Sequence, residues 1–206
     1  MEPEINSMSD EEMLTYCKTA DQETVRRCVS ILARRYESSL LNYIFRMVGD
    51  RDIAEDLLQE TFVRIYRKSR EYRKIARFST WLYKIATNLS LNEIRNRRHR
   101  PLLTLNLPVD SGEGGEEMVS LLESEDNKLP IRMLQDRELA GLVTDTLDEL
   151  PEAYRMVIIL CDMENFSYQE AAEVLGVQPG TIGSRLARAR DFFLQRLLPY
   201  LRQARR

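Results

Sequence analysis

Most of the side chains on which enzymes and metalloproteins depend are scarce in this sequence. The 206 residues hold one histidine, His99, and three cysteines, Cys17, Cys28 and Cys161, with no Cys-x-x-Cys pair. That spacing argues against a disulfide framework or a zinc site, and the three cysteines read as reduced, buried thiols. No paired carboxylates sit among apolar neighbours and no glycine-rich phosphate loop is present, so neither an enzymatic activity nor a cofactor is expected. Long hydrophobic runs are missing too: no stretch reaches the roughly 18 apolar residues of a membrane span. The opening Met-Glu-Pro-Glu lacks the charged-then-apolar layout of a signal peptide. Direct membrane insertion and secretion are therefore not expected, and a cytoplasmic location is.

Charge is abundant but unevenly placed. Residues 1–60 carry 7 Lys and Arg against 13 Asp and Glu, residues 61–100 carry 12 against 2, residues 101–150 carry 3 against 12, and residues 151–206 carry 8 against 6. The net charge of −3 thus conceals a basic block between acidic ones. Such a block points to a local nucleic-acid surface on a protein that would not coat duplex DNA indiscriminately.

Hydrophobic periodicity is helical throughout. Ser9 and Glu12 form a capping box, which places the start of a short helix. From Gln22 to Val48 the residues Val25, Cys28, Val29, Leu32, Tyr36, Leu40, Ile44, Met47 and Val48 keep helical spacing, and Gly49 supplies a stop. Asp50 or Asp52 can cap the next helix, expected to carry Ile53, Leu57, Leu58, Phe62, Ile65 and Tyr66 inward. Glu55, Asp56, Gln59 and Glu60 remain on its outer side, a pattern that fits a solvated face as well as an interface.

Between Arg67 and Arg77 the sequence is basic and loses its apolar period, as a loop or frayed helix end would. Ser79 or Thr80 can then cap a helix reaching Arg100, with Phe78, Leu82, Ile85, Leu89 and Ile94 inward. Lys84, Asn88, Asn92 and Arg95 fall on the opposite side, with Trp81 and Tyr83 at the margins. Aromatic rings can stack on unpaired bases, amides can read base edges, and cationic side chains can follow phosphates. Taken alone, Trp81 fits core packing better than ligand binding, since aromatic residues at helical spacing are more often core.

Residues 101–130 contain seven acidic residues and one lysine, with Pro108, Gly112, Gly114 and Gly115. This composition predicts an acidic flexible linker, extended by self-repulsion. Helical period resumes at Leu134. Farther on, Ser167 and Glu170 make a second capping box, Gly176 ends its helix, Val177 plugs the turn, and Ile182, Leu186, Ala189 and Phe193 face inward on a second helix. This is the layout of a helix-turn-helix, although a plain αα-hairpin would share much of it. Thr181, Ser184, Arg185 and Arg188 are left to face a major groove. The fold class is accordingly all-α, two small helical domains joined by the linker.

Three segments occur in one order: Asp56-Leu-Leu-Gln-Glu-Thr-Phe62, Phe78-Ser-Thr-Trp-Leu-Tyr-Lys-Ile-Ala-Thr-Asn88 and the terminal helix-turn-helix. In that order they resemble the extracytoplasmic-function group of bacterial sigma-70 factors. The resemblance spans about residues 10–200. It implies a region-two domain over 1–100, a linker over 101–133 and a region-four domain over 134–206. It further implies that Asp56, Gln59 and Glu60 dock on core RNA polymerase, and that Asn88 and Asn92 read a flipped-out base of the minus-ten element. By the same carry-over Trp81 lies near the upstream edge of melting, and Lys84 and Arg95 belong to the minus-ten DNA surface. Thr181, Ser184, Arg185 and Arg188 would meet the minus-thirty-five element of promoter DNA. An anti-sigma factor is an implied partner, and a stress or envelope response an implied setting. Gly183 departs from the pattern, standing where relatives commonly carry a basic residue. The residues alone also admit a stand-alone helix-turn-helix regulator, or an adaptor holding single-stranded RNA.

Overall fold

The computed structural model describes residues 5–73, 76–99 and 141–203. The acidic stretch 101–133, the resumption of helix at Leu134 and residue Arg100 lie outside these, as do the side chains of Arg98 and His99. All regular structure among the described residues is helical.

Helix α1 (Asp10–Cys17) starts on the Ser9–Glu12 capping box, with Glu12 accepting from the Ser9 N–H at 2.8 Å. Helix α2 (Gln22–Val48) is capped by Asp21 and ends at Gly49 with φ 71°, a left-handed conformation that costs glycine nothing. Asp50 caps α3 (Arg51–Lys68), its Oδ1 accepting from the Ile53 N–H at 3.0 Å. A 3₁₀ turn over Ser69–Glu71 and irregular chain lead into α4 (Phe78–His99). Helices α2, α3 and α4 pack mutually into a bundle, and α1 packs on α2.

Leu32, Leu40, Tyr43, Ile44, Met47, Ile65, Phe78 and Leu82 are fully buried in this bundle. The buried Tyr43–Thr87 pair is satisfied: Thr87 Oγ1 donates to the Tyr83 carbonyl at 2.6 Å, which leaves it to accept from the Tyr43 hydroxyl at 2.7 Å. Cys17 and Cys28 are buried thiols, as expected, and Cys161 is half-buried. Burial pushes the Cys17 thiol up to about 12, so it stays protonated and unreactive.

The described part of the second domain opens within a helix, 141–149 (α5), followed by α6 (Glu152–Ile158), which continues as a π-helical turn over Ile159–Met163. The helix-turn-helix is α7 (Tyr168–Leu175) and α8 (Pro179–Gln203). Its capping box and its left-handed Gly176, φ 65°, stand where the sequence placed them. Ile182, Leu186, Ala189 and Phe193 of α8 are all buried. Arg190 grips Asp162 with two hydrogen bonds, at 2.9 and 2.5 Å, tying α8 to the π-helical turn.

Two expectations need correction. Helix α4 begins at Phe78, so Ser79 and Thr80 lie inside it and neither caps it. Its first N–H is taken by a distant side chain, the Glu11 carboxylate of α1, at 2.9 Å. Tyr83, placed at a margin by periodicity, is 3% exposed, because the second domain packs over it.

Candidate nucleic-acid interface

A helix turns 100° per residue, so positions 84, 88, 92 and 95 stack into one stripe. On α4 all four residues, Lys84, Asn88, Asn92 and Arg95, are exposed. Neither asparagine amide forms a side-chain hydrogen bond among the described residues, which leaves donors and acceptors free for base edges. Arg97 of the same basic segment is committed: it pairs with Glu93 at 3.1 Å and donates to the Val48 carbonyl at 3.3 Å. The basic run is therefore part solvent-facing and part structural, a division that composition does not reveal.

At the N-terminal end of the stripe lies a cavity of about 650 Å³. Tyr72, Thr80, Trp81 and Lys84 line it, with Lys68, Glu71, Arg73 and Ala76 from the basic stretch. Trp81 is half-buried, its ring 5.3 Å from Tyr72 and 6.2 Å from Phe78. Trp81 thus packs on the core on one side and borders the cavity on the other. Thr80 Oγ1 is buried without a hydrogen-bond partner. Tyr72 was not singled out in the sequence, where an aromatic within a basic stretch was the available signal, and Thr80 was singled out only as a candidate helix cap.

On α3, Asp56 and Gln59 are exposed, and Glu60 pairs with Arg64 at 2.7 Å. Both partners of that pair are more than 40% exposed, so it is worth only about 0.3–0.5 kcal/mol and is readily exchanged for another partner. Beside Gln59 runs an apolar groove between α2 and α3, bordered by Val29, Leu58, Phe62, Val63 and Tyr66. Phe62 and Tyr66 are half-buried groove walls; Ala54, Leu58 and Ile65 are the buried apolar residues of α3. The acidic face therefore adjoins partly exposed hydrocarbon.

On α8, Ser184 and Arg188 are exposed, and Thr181 and Arg185 are half-buried. Ser184 Oγ donates back to the Thr181 carbonyl at 3.1 Å, and Arg188 donates to the Tyr154 hydroxyl at 3.2 Å. Arg185 has no such tether. Gly183 sits in this helix with room for a side chain: an added Cβ would meet only the Tyr168 ring, at 3.5 and 3.9 Å. Gly183→Ala should stabilise the second domain by about 0.5–1 kcal/mol through helix propensity. A thermal melt of the variant checks this, and a lowered midpoint would mean the close Tyr168 ring cannot give way.

The sequence matches two family models: Sigma-70 region 2 over residues 32–100 and Sigma-70, region 4 over residues 140–192. The chain belongs to the sigma-70 family. It is 33% identical over 181 residues to the RNA polymerase sigma-H factor of Pseudomonas aeruginosa, covering 87% of this chain and 91% of that one. To the extracytoplasmic-function sigma factor SigW of Bacillus subtilis it is 33% identical over 180 residues, covering 87% and 92%. Among solved structures, CnrH in complex with the cytosolic domain of CnrY superposes with a TM-score of 0.62 at 21% identity, covering 93% of this chain and 97% of that one. The last likeness concerns the fold alone.

The chain is thus a sigma factor of the extracytoplasmic-function group, which binds core RNA polymerase and directs promoter-specific transcription initiation. The stand-alone regulator is set aside. The region-two match covers most of α2 with α3 and α4, and the region-four match covers α5 to α7 with the first half of α8, including the helix-turn-helix.

Proposed function

We propose that the α4 stripe binds the non-template strand of the minus-ten element, with Asn88 and Asn92 reading an extruded base and Lys84 and Arg95 following its phosphates. The observation that carries this is the uncommitted stripe itself: two free amides flanked by two cations, directly below an aromatic-lined cavity. Trp81 forms the wall at the junction. The Asp56, Gln59 and Glu60 face, with the adjoining groove, docks on a coiled coil of the largest polymerase subunit. Thr181, Ser184, Arg185 and Arg188 contact the minus-thirty-five element, and residues 101–133 tether the two domains. The setting is the cytoplasm, where the protein takes part in a stress or envelope response without catalysing a reaction itself, and an anti-sigma factor covers the polymerase-binding faces until a signal releases them. No described helix is long and apolar enough to cross a membrane.

Magnitudes divide the work between factor and polymerase. Opening a bubble of about ten base-pair steps at about 1.4 kcal/mol each costs on the order of 14 kcal/mol. One or two captured bases return about 1–3 kcal/mol apiece. The factor therefore nucleates melting and the polymerase holds the bubble. Reconstitution with core polymerase, selection of bound promoter DNA from a random pool and run-off transcription test this. Recovery of a two-element promoter, with weak duplex binding by the free chain, is expected; nanomolar opening of duplex promoter by the isolated chain would refute the division of labour.

A further inference from the structure

Helix α4 carries the outward stripe, yet its own first turn supplies no cap. The first N–H groups of a helix have no acceptor within it, Ser79 and Thr80 lie inside the helix rather than before it, and no acidic residue stands in that turn. The Phe78 N–H is satisfied instead by Glu11 Oε1 at 2.9 Å, from the second residue of α1. Glu11 lies outside residues 32–100, the extent of the region-two match.

Helix α1 does not need that bond to stay in place. Asp10 accepts from Arg35 at 2.7 Å and from the Tyr36 hydroxyl at 2.5 Å, Arg35 also donates to the Asn6 and Met8 carbonyls, and Met13, Leu14 and Cys17 are fully buried. The Glu11 carboxylate is therefore held from behind, on α2, and reaches forward to α4. There it meets the junction that walls the cavity. The Tyr72 hydroxyl donates to the Ala76 carbonyl at 2.8 Å, two residues before Phe78, and the Tyr72 ring lies 5.3 Å from that of Trp81. Burial, and then the charges of Glu11 and Asp10, push the Tyr72 hydroxyl above its ordinary pKa, which keeps it a donor in that bond. Tyr72, Ala76 and Trp81 all line the cavity.

We infer that Glu11 is a positioning residue for promoter opening: from α1 it fixes the start of α4, and so sets where Trp81 and Tyr72 stand relative to the Asn88 and Asn92 stripe. This rests on the proposed role of that stripe. A hydrogen bond from a backbone N–H to a carboxylate is charge-assisted, and this one sits at the positive end of the α4 dipole, so it resists fraying of the first turn. Once it is lost, Trp81, one turn along, moves with Phe78. The far end of the stripe does not follow, because Leu82, Ala86 and Leu89 hold that part of α4 in the core. Glu11 therefore governs the edge at which strands separate and not the capture of a base already free.

The test uses holoenzyme reconstituted from core polymerase and the full chain, on the selected promoter either as intact duplex or with a mismatched, already open minus-ten segment. Glu11→Ala should lower run-off transcription from the duplex about 2- to 30-fold, the span given when loss of a helix cap falls on the opening equilibrium, and change it by less than about twofold on the open template. Core polymerase should still co-elute. Glu11→Gln, which keeps the acceptor oxygen, should restore transcription from the duplex. Glu11→Asp, which keeps the charge but is one methylene too short, should behave as Glu11→Ala does. Trp81 is the chain's only tryptophan, so its emission reports the helix start directly: a shift to longer wavelength is expected in Glu11→Ala and Glu11→Asp and not in Glu11→Gln. Equal loss on both templates, or loss of polymerase co-elution in Glu11→Asp, means that Glu11 serves the fold alone and overturns the inference. So does a normal Glu11→Asp with a defective Glu11→Gln, which assigns the effect to charge. Should Glu11→Ala fail to fold, the comparison of Glu11→Asp with Glu11→Gln decides by itself. Asn88→Ala on the duplex separates the two levels: a defect there beside intact Glu11 variants overturns the positioning role and leaves the proposed function standing, whereas no defect in any variant overturns both.

Discussion

Asn88→Ala should cut run-off transcription about 5- to 150-fold while core polymerase still co-elutes with the variant. Base-edge recognition by an amide is worth about 1–3 kcal/mol, and that range in an opening equilibrium gives this span. Stability should hardly change, because Asn88 is exposed on a helix and alanine is the better helix former. Asn92→Ala should act in the same direction, and the double variant should show whether the two amides grip one base. Amides on the same base couple, so a combined loss clearly different from the product of the single losses is expected. The proposed polymerase dock lies on α3, so co-elution is the control. Equal loss of polymerase binding and of transcription in Asn88→Ala would refute the assignment of this stripe to DNA.

Phe78→Ala is expected to have the largest effect on stability, about 3–5 kcal/mol lost from region two. Its ring is fully buried at the start of α4, 5.4 Å from Tyr36 in an edge-to-face arrangement and against Trp81 on the other side. Alanine there leaves a void at the point where α1, α2 and α4 converge, which rigid helices fill poorly. The N–H of the same residue is capped by Glu11, so movement of the α4 start also weakens a charge-assisted hydrogen bond. Denaturant unfolding followed by circular dichroism measures the loss; a change below about 1 kcal/mol would show that the site collapses around the missing ring. Because Phe78 supports Trp81, the variant should also weaken single-stranded DNA binding, whereas Phe78→Leu should keep much of both properties.

A single local change thus separates two kinds of α4 residue. Phe78, Leu82 and Tyr83 hold the helix in place, and Lys84, Asn88, Asn92 and Arg95 face outward from it. The same division recurs on α8, where Ile182, Leu186 and Ala189 are buried and Ser184 and Arg188 are exposed. In both cases the buried stripe fixes the rotation of the helix, and the rotation decides which polar side chains are presented.

The sequence by itself determined the helices, most of their ends and the helix-turn-helix. Those signals are local: a capping box spans three residues, a left-handed glycine needs no distant partner, and the helical period repeats within each segment. It also determined the outward stripe of α4 and the exposure of Asp56 and Gln59, since both follow from the same period. Only the tertiary structure decided where α4 begins, because its cap is Glu11, 67 residues away. It alone decided that Arg97 is spent on Glu93 and Val48, that Phe62 and Tyr66 border a groove, and that Tyr83 is buried beneath Glu164, 81 residues farther along the chain. The reason is the same in each instance. Periodicity states which face of a helix is apolar, but what covers that face, and which polar groups it claims, is set by segments remote in sequence that packing brings together.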